Sequence, residues 1–342
     1  MKQRRLFMLL AVAAILLSKP ALGFTQSTYT LSEIASDLKD VSDDIRGALA
    51  FSSLIGLAWS DTYVGQLIGM PPHWGIGLSM GITSLKADRL NDLLGKFGYT
   101  SDFALADKPL LLAYTIDLRI GGFKQLPFDI GIKWGLLPYA PLFGDISYEI
   151  NSMGLDFRWE IVNGWLDTPS FSVGFEIDSV TGGLRNTGNT TLTGLSSDIV
   201  VGGDSTAGLV WEVLVFSLKA QVAKNFWRPR LNMYAGLRLG GYYAKTGYEL
   251  SGGDGIMIGG TPLNQADLSG LASALDSASG NNTTFSVDED TITGLREDFG
   301  AAIAFYTGLA FHFNSITCLD ISLMLDVINF GFGTSIGFRY QQ

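Results

Sequence analysis

The chain has 342 residues, 47% hydrophobic and only 16% charged, with 42 glycines against 10 prolines and a net charge of −10. This composition excludes disorder, and an acidic surface repels phosphates, which argues against nucleic acid as a partner. One cysteine, Cys318, excludes an intramolecular disulfide framework.

Lys2, Arg4 and Arg5 precede an apolar run from Leu6 to Leu17, and Ala21-Leu22-Gly23 offers small residues at the cleavage spacing. Residues 1–23 are therefore predicted to be a cleaved secretory signal peptide. Removing its four bases, Lys2, Arg4, Arg5 and Lys19, leaves 19 bases against 33 acids. The apolar run is shorter than the roughly 20 residues of a spanning helix, and no later run reaches that length.

Residues 24–73 differ from everything after them. Thr30 to Glu33 has capping-box spacing, and Leu31, Ile34, Leu38, Val41 and Ile45 recur at helical intervals, which predicts an amphipathic helix before the first strand. The glycine-punctuated stretch that follows reads equally as a second helix, an extra strand or a packed irregular segment. The whole piece either lies in the periplasm against the turns or enters the barrel as a hatch.

From Trp74 the period becomes two, as in a β-strand. Trp74, Ile76, Leu78, Met80 and Ile82 alternate with Gly75, Gly77, Ser79, Gly81 and Thr83. The same pattern continues through Leu110–Gly121, Phe128–Leu137, Ile146–Val162, Pro169–Val180, Ala207–Ala223, Arg230–Thr246 and Asp298–Phe313. In the fourth run the polar parity changes near Met153 and Gly154, and the sixth is irregular, so a β-bulge is expected in each. The final stretch, Thr317 to Tyr340, reads as a hairpin whose last strand pairs with Trp74–Thr83, and the glycines on both inward files put the N-terminal segment close to that seam.

Large residues opposite glycine, serine and isolated charges fit either a soluble sandwich or a membrane barrel. Loop lengths separate the two. Short connections alternate with long ones such as 84–109, 181–206 and 247–297, as in a barrel with long outer loops and short periplasmic turns. Trp74, Phe128, Trp165, Phe226, Trp227, Phe313 and Tyr340 gather near the short-turn end, where an interfacial girdle sits. The predicted fold is all-β: a transmembrane antiparallel up-and-down β-barrel over 74–342 of about 10 strands, with room for about 12 to 14, preceded by the helical segment. The predicted location is the bacterial outer membrane, with its lipid and its assembly machinery as partners, the latter reading the aromatic end of the closing strand.

On this topology the inward charges are Asp117, Arg119, Asp129, Lys133, Glu149, Asp156, Arg158, Glu160, Glu176, Asp178, Lys219, Arg238, Asp320, Asp326 and Arg339. They either pair across a narrow lumen and pack it, or line a small polar conduit. Two loop segments have helical periodicity, one with Leu90, Leu93, Leu94 and Phe97, the other with Leu268, Leu271 and Leu275. Above a barrel mouth these would either capture a hydrophobic small molecule or pack on one another.

A signal peptide, a helical hatch and helix-bearing outer loops on an antiparallel barrel resemble the long-chain fatty-acid and hydrophobic-compound transporters of the outer membrane, and uncharacterised spirochaetal barrels. The likeness is architectural. That transporter family has more strands and an Asn-Pro-Ala hatch motif that this chain lacks, so no ligand residue is carried over. The resemblance implies uptake of small solutes, hydrophobic ones included. The alternative is a non-conducting barrel whose surface loops act in adhesion or partner binding. No enzymatic role, cofactor or metal is expected. Ten-stranded outer-membrane proteases resemble the chain in strand count, but His73 and His312, the only histidines, fall at the periplasmic ends of their strands. The acidic stretches Asp254 and Asp288-Glu289-Asp290 read as solvated loops.

Overall fold

The computed structural model describes residues 44–56, 59–65, 67, 72–84, 110–122, 126–143, 146–164, 168–187, 190–192, 199–201, 206–227, 230–251, 256–258, 261–262, 284–288 and 291–342. The predicted signal peptide, the first part of the predicted helix, and the loop residues Leu90, Leu93, Leu94, Phe97, Leu268, Leu271 and Leu275 lie outside them.

Among the described residues one helix, α1 (residues 44–52), precedes the strands β1 (Trp74–Ser84), β2 (Leu110–Gly121), β3 (Phe128–Phe143), β4 (Ile146–Val162), β5 (Ser170–Thr187), β6 (Thr190–Leu192), β7 (Ile199–Val201), β8 (Thr206–Trp227), β9 (Leu231–Ser251), β10 (Ile256–Ile258), β11 (Thr261–Pro262), β12 (Thr284–Asp288), β13 (Thr291–His312), β14 (Thr317–Asp326) and β15 (Phe332–Gln341). Ten of these strands close on themselves in the order β1, β2, β3, β4, β5, β8, β9, β13, β14, β15, each antiparallel to its neighbours. The closing seam joins β15 to β1, from Gly75 opposite Gln341 to Thr83 opposite Gly333. Beyond the end of β14, β12 pairs with the same edge of β13. The hairpins β6-β7 and β10-β11, from two different outer loops, join into a separate four-stranded sheet that the sequence did not announce.

Wall height is uneven. Strands β8, β9 and β13 run 22, 21 and 22 residues, whereas β14, β15 and β1 run only 10, 10 and 11. Outside, one parity of every barrel strand is exposed and apolar, including Leu78, Ile116, Trp134, Met153, Phe175, Leu218, Leu239, Phe305, Leu323 and Phe338. Left in water, each such side chain would forgo about 1.5–3 kcal/mol of burial free energy, and a continuous belt is far larger than a soluble monomer exposes. The belt faces lipid. At the short-turn end it meets aromatic pairs, Trp74 with Tyr340 at 5.7 Å and Phe128 with Phe157 at 5.4 Å between ring centroids. A closed wall, apolar outside and charged inside, is an outer-membrane β-barrel.

The two expected bulges are absent where the alternation breaks in the sequence. Register between β4 and β5 is unbroken from Ile146 to Glu160, and between β5 and β8 throughout. In β4 the even residues stay inward, so Ile150 is buried and Glu149 lies on the outward parity with Met153, accepting a hydrogen bond from Asn151 at 2.9 Å. Glu149 is thus not an inward residue. Polar side chains face outward there because the strand has passed beyond the apolar belt. In β8 the inward file reads Trp211, Val213, Val215, Ser217, Lys219, Gln221, and Glu212 is exposed. That file turns apolar because it receives α1.

Candidate functional site: the filled lumen

The lumen is occupied by the chain's own residues 44–56 and 59–65. Helix α1 is buried on all sides, with Arg46, Gly47, Ala48, Leu49, Ala50, Phe51 and Ser52 shielded alike, as befits a helix enclosed by a wall. Small residues let it fit: a Cβ on Gly47 would lie 2.5 Å from the Asn329 side chain. Leu49 and Ala50 pack with Ile150, Val180, Trp211, Val213, Val215 and Ala244, while Phe51, Leu54 and Ile55 pack with Ala113, Tyr234, Tyr306 and Met324. Ser52 and Ser53 end the helix by donating from their hydroxyls to the Leu49 and Ala50 carbonyls, each at 2.8 Å. Gly56 then turns the chain at φ +100°, a left-handed conformation that suits glycine.

Residues 59–65 are irregular and lie along the lumen toward the short-turn end. Arg46 meets Asp298 at 3.3 Å near the outer end, and the Leu67 amide donates to the Gly122 carbonyl at 2.7 Å at the inner rim. Burial lowers the Arg46 pKa, and the Asp298 carboxylate opposes that shift. Between these ends the wall holds the segment by its polar atoms. Lys133 donates to the Ser53 carbonyl, and Arg238 donates to the Ser53 hydroxyl at 2.9 Å. Gln221 donates to the Trp59 carbonyl at 2.7 Å, Arg158 to the Asp61 carbonyl, and Thr62 to Glu160 at 2.7 Å. The Val64 amide donates to Asp129 at 2.8 Å. Burial raises the Tyr63 phenol pKa, helped by the Glu160 and Asp129 carboxylates.

Beneath and beside the segment the wall charges pair with one another. Arg119 binds Asp129 and Asp156, each at 2.5 Å, and Arg158 grips Asp129 at 2.6 Å. Lys219 pairs with Asp156 and, at 3.9 Å, with Glu176. Lys133 and Arg238 share Asp178, at 2.7 and 2.6 Å. Arg339 binds Asp320 at 3.0 Å, and Tyr234 donates to the other Asp320 oxygen at 2.6 Å. Inward glycines make the room. A Cβ on Gly154 would sit 2.2 Å from Asp178, and one on Gly308 would sit 2.4 Å from the Tyr234 ring.

Of the charges singled out from sequence, Asp117, Arg119, Asp129, Lys133, Asp156, Arg158, Glu160, Glu176, Asp178, Lys219, Arg238, Asp320 and Arg339 are brought together here. Asp326 is buried apart from them, at the outer end of β14, where it accepts from the Ile328 and Asn329 amides at 2.9 and 3.1 Å and caps the turn. Glu149 is the one that points away. Trp59, Ser60, Asp61, Gln221 and Tyr306 take part in the same network without having been singled out. Their only signals were a tryptophan in an unperiodic segment and glycine-tyrosine alternation on β9 and β13. His73 and His312 lie at the short-turn end, His312 directly opposite Cys318.

No family model matches the chain, and no curated protein does. Among solved structures it is similar to the outer membrane protease OmpT from Escherichia coli, at 8% identity over 79% of this chain and 96% of that one, with a TM-score of 0.39. It is also similar to the translocator domain of the autotransporter NalP from Neisseria meningitidis, at 11% identity over 91% and 98%, with a TM-score of 0.36. A third is the toluene transporter TbuX of Ralstonia pickettii, at 9% identity over 79% and 89%, with a TM-score of 0.27. Likeness of this degree bears on neither mechanism nor substrate.

Proposed function

We propose that this outer-membrane barrel passes small solutes, and that residues 44–67 are the hatch that closes it. The reading is non-enzymatic. What supports it is the division of labour in the lumen: most of the wall charges are already paired with one another, Asp117 and Glu160 being bonded instead to Trp59 and Thr62 of the segment, and most contacts to the segment are additional bonds to its carbonyls and hydroxyls. If the segment moves out, a largely self-paired polar lining remains that water can wet. A barrel that needed only a packed core would gain nothing from these ions, since buried ion pairs are commonly no more stabilising than well-packed apolar residues. Hydrophobic solutes would depend on the loop leucines.

Planar-bilayer conductance of the refolded protein tests this. The full chain should give rare, brief openings, and deletion of residues 44–67 should give steady current. A deletion variant that folds and stays silent would remove the passage idea and favour the non-conducting barrel, for which the ordered four-stranded sheet built from two outer loops is the supporting observation.

A further inference from the structure

Trp59 is 2% exposed, yet nothing in a membrane barrel requires an indole at its heart. Its ring N–H is shared by both oxygens of Asp117, at 3.3 and 3.2 Å. The guanidinium carbons of Arg119 and Arg339 stand over its ring at 5.4 and 4.9 Å from the centroid. These two arginines come from β2 and β15, the strands on either side of β1. Between them β1 presents Gly75, where a Cβ would lie 2.6 Å from the far edge of the indole, and Gly77, where one would lie 2.2 Å from Asp117.

Every group that recognises this indole therefore belongs to the wall. The wall also holds both arginines in place without it: Arg119 is fixed by Asp129 and Asp156, and Arg339 by Asp320. A slot floored by glycine, flanked by two buried cations that favour a π face, and closed by a carboxylate that accepts an N–H is complementary to a planar aromatic carrying one hydrogen-bond donor. We propose that Trp59 is an internal stand-in for such a solute, and that when the hatch moves the slot of Gly75, Asp117, Arg119 and Arg339 binds indole-like heteroaromatics. This assignment of solute class rests on the hatch reading above.

The test empties the slot without moving the hatch. Trp59→Ala, in the full chain refolded into lipid, is titrated calorimetrically with indole and with benzofuran, its isostere lacking the N–H. Indole should bind saturably and at least tenfold more tightly than benzofuran, and adding Asp117→Ala should erase that preference. Equal affinity for the two ligands, or no binding of either, overturns the proposal. If Trp59→Ala does not reach folded mobility, Trp59→Leu frees the Asp117 oxygens and the outer part of the slot and is read the same way. The two failures are distinct. A silent deletion variant sinks passage while leaving the indole preference measurable, whereas a conducting one without that preference sinks the solute class alone.

Discussion

Arg158 grips Asp129 on the wall through Nε and Nη2 and donates to the Asp61 carbonyl of the internal segment through Nη1. One guanidinium thus ties the pairing inside the wall to the closure of the lumen. Arg158→Met should leave Asp129 with Arg119 and the Val64 amide, but it strips the Asp61 carbonyl of this donor. Unfolding from lipid vesicles should become easier by about 1–3 kcal/mol, the cost of an unmet buried hydrogen bond. Conductance openings should become more frequent. Unchanged stability together with unchanged opening would mean that Arg158 does not hold the segment.

The Gly56 turn makes a second prediction. Its φ of +100° and the 2.1 Å from an added Cβ to the Thr115 hydroxyl leave no room for a side chain. Gly56→Ala should therefore destabilise by about 1–3 kcal/mol. Gly331→Ala is the control, because there an added Cβ meets nothing closer than 3.4 Å and stability should hardly change. Urea unfolding of both variants in the same vesicles decides it, and equal costs would refute the turn assignment.

What was legible in the sequence followed the lipid. Because the outer face must be apolar over the whole belt, alternation survives in every strand and gave the ten strands, the closing seam and fourteen buried charges. The inner face obeys a different rule where it packs against α1. At Ile150, Val213 and Val215 it becomes a protein core, the contrast between parities vanishes, and the pattern imitates a bulge. Glu149 was misplaced for that reason. Partner identity was not legible at all, since Arg119 on β2 reaches Asp156 on β4 across an intervening strand whose Gly131 clears the way. Nor did any period mark Trp59, which sits in an irregular segment shaped by its contacts.

The lipid-facing assignment is tested on β8. Leu218 is 65% exposed in the middle of the apolar belt, while Phe226 stands at the short-turn rim. Leu218→Arg should cost about 2–4 kcal/mol in vesicle unfolding, and Phe226→Arg about 0–1 kcal/mol. Equal and small costs would place the belt outside the bilayer.

The one native thiol offers a lock for the internal segment. Arg339 Nη2 donates to the Ser60 hydroxyl at 2.7 Å and to Cys318 Sγ at 3.3 Å, so the two side chains converge on a single nitrogen from opposite sides of the interface between segment and wall. Ser60→Cys therefore brings a second sulfur to the nitrogen that Cys318 already contacts, and a disulfide formed between the two would staple the segment to β14 near the inner rim. Reduced, this variant should conduct like the wild type. Oxidised, with both thiols shown to be consumed by their loss of maleimide labelling, it should be silent, and dithiothreitol should restore the openings. Because the same molecule is compared before and after reduction, misfolding cannot mimic the result. Openings that persist in the fully oxidised protein would show that solutes pass without Ser60 leaving β14, and any hatch motion would then have to lie between α1 and Trp59.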